Sequence, residues 1–186
     1  MVAFWNVGIL CQARDGKDKP CIRRREALRI MGIRVKLSEI VSGMEFQTDE
    51  SVCYLKKTTG ETVLITDEAS NAAEEGTTLS IYPQWEREEI EAARDIQRNE
   101  ENYVALPSRF DMNEYSIMER FCDTVEDEKV ATGLRLAIQG SGAFRRFKDG
   151  LYAFGIAEQW YAFRDKALRE IAKDWCEENH IEYSED

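Results

Sequence analysis

Three cations follow two closely spaced glycines in Gly140-Ser141-Gly142-Ala143-Phe144-Arg145-Arg146-Phe147-Lys148. A glycine turn that opens a helix leaves the first backbone N–H groups without intrahelical acceptors, and such groups, flanked by guanidinium and ammonium ions, suit an anion. Cations at a helix start run against the helix dipole unless something acidic lies near. A local rule is therefore broken here, and such conflicts mark functional positions. Two accounts fit the residues. In the first, Gly140, Gly142, Arg145, Arg146 and Lys148, with Arg109, Tyr161 and Arg164 nearby, bind a phosphate-bearing ligand, a nucleic acid or an acidic protein. In the second, the cations pair with acids of neighbouring helices, among them Glu126, Asp127 and Glu128, and the glycines only turn the chain.

The acids offer a different chemistry. Glu126-Asp127-Glu128, Glu74-Glu75 and Glu86 with Glu88 and Glu89 are residue types that serve as general acids, general bases or divalent-metal ligands. An enzyme built this way would act on a phosphorylated or nucleic-acid substrate and would bring acids and Arg145 into one cleft. No calcium loop, P-loop or nucleophile elbow fixes their geometry, and consecutive acids on helix starts read as solvated faces. The only histidine is His180, in Glu-Asn-His-Ile-Glu, which reads as a helix-end residue and is the single candidate base for a serine or cysteine nucleophile. Cys11, Cys21, Cys53, Cys122 and Cys176 are an odd set without C-x-x-C spacing, so reduced thiols are expected rather than a disulfide framework or a zinc site. No metal and no cofactor is expected.

At 186 residues and 43% hydrophobic content the chain is long enough to bury a core as one domain. Charged residues make up 33% of it and the formal net charge is −11, a balance that repels nucleic acid globally and confines any anion site to a local patch. Residues 1–34 hold eight Lys or Arg against three acids, which leaves 17 basic and 33 acidic residues after them. The break predicts a basic, poorly ordered extension over residues 1–31, or a basic arm for nucleic acid or an acidic partner, ahead of a single α+β domain over residues 32–186. Met1 to Leu10 is apolar but has no basic start and includes Asn6 and Gly8, unlike a secretory leader. No hydrophobic run approaches the roughly 20 residues of a membrane span. A cytoplasmic, soluble protein is the expectation.

These residues must be positioned by the elements around them. Val52, Tyr54, Val63 and Ile65 alternate with Cys53, Leu55, Thr62 and Leu64 across Thr58-Thr59-Gly60-Glu61, which predicts a β-hairpin over about 51–66. A lone hairpin is marginal, so Tyr103 to Leu106 is a candidate third strand. A short helix from Ser38 is expected to end at Ser42-Gly43, and another to start at Thr66-Asp67-Glu68. From about 84 to 180 the period becomes helical. Trp85, Ile90, Ala93 and Ile96 are expected to face inward after Pro83, and Asp111 with Glu114 resembles a capping box ahead of Tyr115, Met118, Phe121 or Cys122, and Val125. Val130, Leu134 and Ile138 follow. Phe144, Phe147, Leu151 and Phe154 then form one stripe ending in a left-handed cap at Gly155-Ile156. Trp160, Phe163, Ala167, Ile171 and Trp175 line the last helix, and residues from Glu182 onward read as a solvated tail. The fold class is α+β, predominantly helical, with a small antiparallel sheet followed by a bundle of four to five helices.

Three blocks give the chain a family likeness. Val35-Lys36-Leu37-Ser38-Glu39-Ile40-Val41, Ala105-Leu106-Pro107-Ser108-Arg109-Phe110-Asp111 with Glu114-Tyr115-Ser116-Ile117-Met118, and Gly142 to Asp149 with Trp160-Tyr161 resemble the uncharacterised protein family UPF0158 over about residues 35–183. Members of that family commonly carry a basic residue between the two glycines, where this chain has Ser141. The resemblance implies a family chain beginning near Met31 and brings no activity, ligand or catalytic residue with it. The reading of the sequence is thus a small non-catalytic binding or regulatory protein, with the phosphate-handling enzyme as its alternative.

Overall fold

A computed structural model describes residues 33–185; the extension expected over residues 1–31 lies outside the described residues. The chain opens with β1 (Val35–Lys36) and α1 (Leu37–Phe46). A three-stranded antiparallel sheet follows from β2 (Ser51–Lys56), β3 (Thr62–Thr66) and β4 (Tyr103–Ala105), in the order β3-β2-β4. The hairpin pairs Val52 with Ile65 and Tyr54 with Val63, and Tyr54 also faces Ala105 of the third strand. Between β3 and β4 lie α2 (Asp67–Glu74) and α3 (Gln84–Arg98). Thr66 caps α2, its hydroxyl accepting from the Ala69 N–H at 3.2 Å, as the polar Thr66-Asp67-Glu68 start predicts.

The sheet separates two apolar clusters because its side chains alternate. Cys53 and Leu55 point to the larger cluster, while Tyr54, Val63 and Ile65 point to a smaller one made with Ala69, Ala72 and Ala73 of α2 and Ile90 and Ala93 of α3. Trp85 is not part of that cluster. It is 67% exposed, since five helical residues before Ile90 place it well off the stripe that Ile90 and Ala93 define. Gly43 does not end α1. The helix runs on to Phe46, and Gly43 sits inside it because a Cβ there would lie 2.5 Å from Leu106 Cδ1 and 3.1 Å from Cys53 Sγ. The glycine serves close packing of helix on sheet, not termination.

The helical part consists of α4 (Arg109–Met112), α5 (Glu114–Thr124), α6 (Glu128–Ala137), α7 (Ala143–Ala153) and α8 (Ala157–Glu178). Phe121, Phe147 and Trp160 meet at its centre, with Phe147 and Trp160 edge to face at 4.8 Å and Phe121 and Trp160 at 5.3 Å. Burying each such ring is worth roughly 1.5–3 kcal/mol by area. Phe147 and Leu151 form the inner stripe of α7, whereas Phe144 and Phe154, expected on that stripe, remain 50% and 45% exposed. The Ile156 N–H donates to the Leu151 carbonyl at 3.0 Å and closes α7 as the Gly155-Ile156 pair predicts. The indole N–H of Trp175 donates to the Ala105 carbonyl at 3.1 Å, which ties α8 to the sheet.

The expected solvated tail is instead partly structured. β5 (Tyr183–Ser184) runs parallel to β1, Val35 N donates to the Glu182 carbonyl at 3.0 Å, and Lys173 is paired with Glu185. Cys53, Cys122 and Cys176 are buried free thiols, and burial pushes Cys53 and Cys176 up to about 11. Cys11 and Cys21 lie outside the described residues. No helix among the described residues is long and apolar enough to cross a membrane.

Candidate binding site

The glycine turn takes its shape from two left-handed residues, Gly140 (φ 72°) and Gly142 (φ 77°). Gly142 is also the N-cap of α7 and offers no side-chain acceptor, and the first N–H of the helix to find an acceptor is that of Arg146, bonded to the Gly142 carbonyl at 3.1 Å. The N–H groups of Ala143, Phe144 and Arg145 are thus left open among the described residues. The three cations of the motif then separate. Arg146 folds back: its Nε donates to the Ala137 carbonyl at 3.1 Å, and its two terminal nitrogens donate to the carbonyls of Ser141 and Gln139. These carbonyls close the C-terminal end of α6, where the helix dipole favours a cation. The dipole conflict read from the sequence is removed for this residue. The left-handed backbone at Gly142 favours glycine, and a Cβ there would also come within 3.1 Å of Arg146 Nη1, which would have to give way by a few tenths of an ångström.

Arg145 and Lys148 remain exposed on α7 with no hydrogen bond or ion pair among the described residues. Two of the three acids that might have held them are engaged elsewhere. Asp127 caps α6 by accepting from the N–H groups of Lys129 and Val130, and Glu128 pairs with Arg135 at 3.4 Å. Further along the same helix Tyr152 meets Tyr161 of α8, hydroxyl to hydroxyl at 3.3 Å, and that contact raises Tyr152 above the usual phenol range while Lys148 draws it down.

A second set of residues converges at the α4–α5 corner. The capping box predicted from Asp111 and Glu114 is displaced by one step: Ser108 Oγ accepts from the Asp111 N–H at 3.3 Å, and the Asp111 carboxylate accepts from the Ser108 N–H at 2.9 Å. These bonds from Ser108 hold the Asp111 carboxyl below its ordinary range. Asn113, left-handed at φ 43°, breaks the helix after one turn and caps α5 through the Ser116 N–H. The short α4 is therefore presented outward, with Arg109 exposed and Phe110 91% exposed.

Across from it, Arg164 of α8 donates to Glu114 Oε1 at 2.6 Å and to Glu45 Oε1 at 2.5 Å. Burial works against its charge, but the hydrogen bonds to the two carboxylates outweigh that and raise its pKa. One guanidinium thus joins the end of α1, the start of α5 and the middle of α8. Between these parts lies a cleft of about 550 Å³ lined by Glu45, Arg109, Phe110, Asp111, Glu114, Tyr115, Phe144, Arg164 and Leu168, among others.

Of the residues named from the sequence, Arg109 and Arg164 share this cleft, while Gly140, Gly142, Arg145, Arg146, Lys148 and Tyr161 do not line it. Phe144, one residue into the α7 motif, connects the two places. Sequence reasoning missed Phe110, Glu45 and Glu114. Phe110 lies within the Ala105 to Asp111 block, where nothing in the local pattern marks it as facing outward. The cleft does not bring acids together with Arg145, and no group of three His, Cys, Asp or Glu placed to hold a metal ion occurs among the described residues.

Over 67 residues the chain is 33% identical to a UPF0158 protein of Pseudomonas aeruginosa, a match covering 36% of this chain and 44% of that relative, so less than half of the relative's length is spanned. No solved structure matches. The model of the uncharacterised protein family UPF0158 matches residues 30–186, and the chain belongs to that family.

Proposed function

We propose that this is a non-catalytic binding protein that holds a phosphate-bearing or acidic partner at the start of α7 and the adjoining cleft. The observation that carries this reading is the division of labour among the arginines. Arg146 is consumed by carbonyls and Arg164 by two carboxylates, whereas Arg145, Lys148 and Arg109 are exposed cations with no ion pair among the described residues, and Arg145 and Lys148 share α7 with the open N–H groups at its head. Guanidinium and backbone N–H groups together favour oxyanions. The net charge of −11 makes such a patch local, so that partner binding depends on these few cations and weakens with salt.

Calorimetric titration of the full chain with inorganic pyrophosphate tests the reading. Binding is expected to fall at least about tenfold in an Arg145→Ala, Lys148→Ala double variant, a loss of about 1.4 kcal/mol. Binding that is absent, or indifferent to the double substitution, refutes it.

A further inference from the structure

The partner itself can be narrowed. The cleft is not a purely cationic pocket: Glu45, Asp111 and Glu114 line it beside Arg109 and Arg164. Arg164 is committed to Glu45 and Glu114, and Asp111 to Ser108, so Arg109 is the cation in the lining that has no partner among the described residues. Met112, Leu168 and the rings of Phe110 and Phe144 supply the apolar part of the lining beside Asn113 and Tyr115, and both Phe rings are open to solvent, Phe110 at 91% and Phe144 at 50%. Apolar rings left open around a cavity mark interaction surfaces, and aromatic residues beside arginine are the residue types that dominate them. A volume of about 550 Å³ lies in the range of ligand pockets and accepts one or two large side chains.

From this we infer that the cleft docks a protein segment that sets an apolar side chain against Phe110 and Phe144 and a carboxylate on Arg109, with further acids facing Arg145 and Lys148. The inference rests on the anion-binding reading given above and specifies its partner. A nucleic acid fits less well, since a polyphosphate backbone would meet the cleft's own carboxylates and a chain of net charge −11. A peptide needs only one or two carboxylates at defined places and uses the apolar rim, which a free phosphate would leave exposed.

The test is selection of a displayed random-peptide library on the immobilised full chain, followed by titration of the selected peptides as synthetic labelled probes, with inorganic pyrophosphate measured in parallel. Selected peptides are expected to share an aromatic or large aliphatic residue flanked by Asp or Glu. Phe110→Ala is expected to weaken them at least about tenfold without moving the thermal midpoint, because the ring is exposed, and Arg109→Glu to remove the preference for acids. Pyrophosphate binding without peptide enrichment would overturn this inference and leave the anion site standing. Enriched peptides that lack acids would overturn this inference, and binding of neither probe would overturn both. Tighter binding of short single-stranded RNA, with no peptide consensus, would assign the surface to a different class of partner and also overturn the inference.

Discussion

Arginine is used in opposite ways at the two ends of the candidate site. At the α6–α7 turn, Arg146 is spent on three main-chain carbonyls and closes one helix against the next. At the α4–α5 corner, Arg164 is spent on two carboxylates drawn from α1 and α5. In both places a neighbouring cation, Arg145 in one and Arg109 in the other, is left facing solvent. The structural arginines fix the geometry and the exposed ones supply the free charge. What separates them is the acceptor within reach, since the residue type is the same in all four. The two anchors also differ in kind, because main-chain carbonyls do not titrate and carboxylates do.

The strongest challenge to that comparison is removal of Arg164. Arg164→Ala leaves Glu45 and Glu114 facing each other without a counter-ion in a partly buried site, and a loss of about 2 kcal/mol in chemical denaturation is expected, below the value for a fully buried pair because a quarter of the side chain is exposed. Arg164→Lys is expected to recover only part of it, since an ammonium lacks the planar fork that reaches both carboxylates. Removal of the other anchor is expected to cost less. Arg146→Ala forfeits bonds to carbonyls that water can replace, for a loss of about 1 kcal/mol, while Arg145→Ala stays within about 0.5 kcal/mol of the parent. Equal effects at 145 and 146 would erase the distinction between structural and free arginine.

Acid sharpens the difference between the α4–α5 corner and the α6–α7 turn. Asp111 has a folded-state pKa held below its ordinary value of 3.8 by Ser108, so its contribution is complete above that value and is lost as pH falls through the lower, folded-state pKa. Amide exchange measured down through this range is expected to speed up at residues 108–116 before it does at residues 139–146, and Asp111→Asn is expected to remove the lag. The smallest effect concerns the rim. Phe110→Ala is expected to leave stability unchanged within about 0.5 kcal/mol, consistent with a ring that is 91% exposed.

Much of the scaffold was readable because it follows periodicity and end signals. The alternation in Val52 to Leu55 and Thr62 to Ile65 and the Gly155-Ile156 cap are local patterns, and the third strand at Tyr103 follows from the need of a hairpin for support. The departures come from contacts the local pattern does not contain. Gly43 is kept within α1 by Leu106, a neighbour only in the fold. Ser108-x-x-Asp111 and Asp111-x-x-Glu114 are overlapping capping signals, and the earlier one wins because Asn113 restarts the helix. The tail is ordered by pairing with the first described strand. In the candidate site the cations were legible as a set, but their roles were not: Arg164 is fixed by Glu45, which is 119 positions away, and Arg146 by carbonyls, which every sequence contains.

The most direct test of the account is an amide NMR titration of the full chain with inorganic pyrophosphate, repeated on the Arg145→Ala and Arg146→Lys variants. The account predicts that the amides of Ala143, Phe144 and Arg145 move first, that Arg145→Ala suppresses the movement, and that Arg146→Lys, which retains the charge while losing the forked contact with the carbonyls, perturbs the turn yet keeps binding. Movement centred elsewhere, or binding lost with Arg146→Lys but intact in Arg145→Ala, would contradict it.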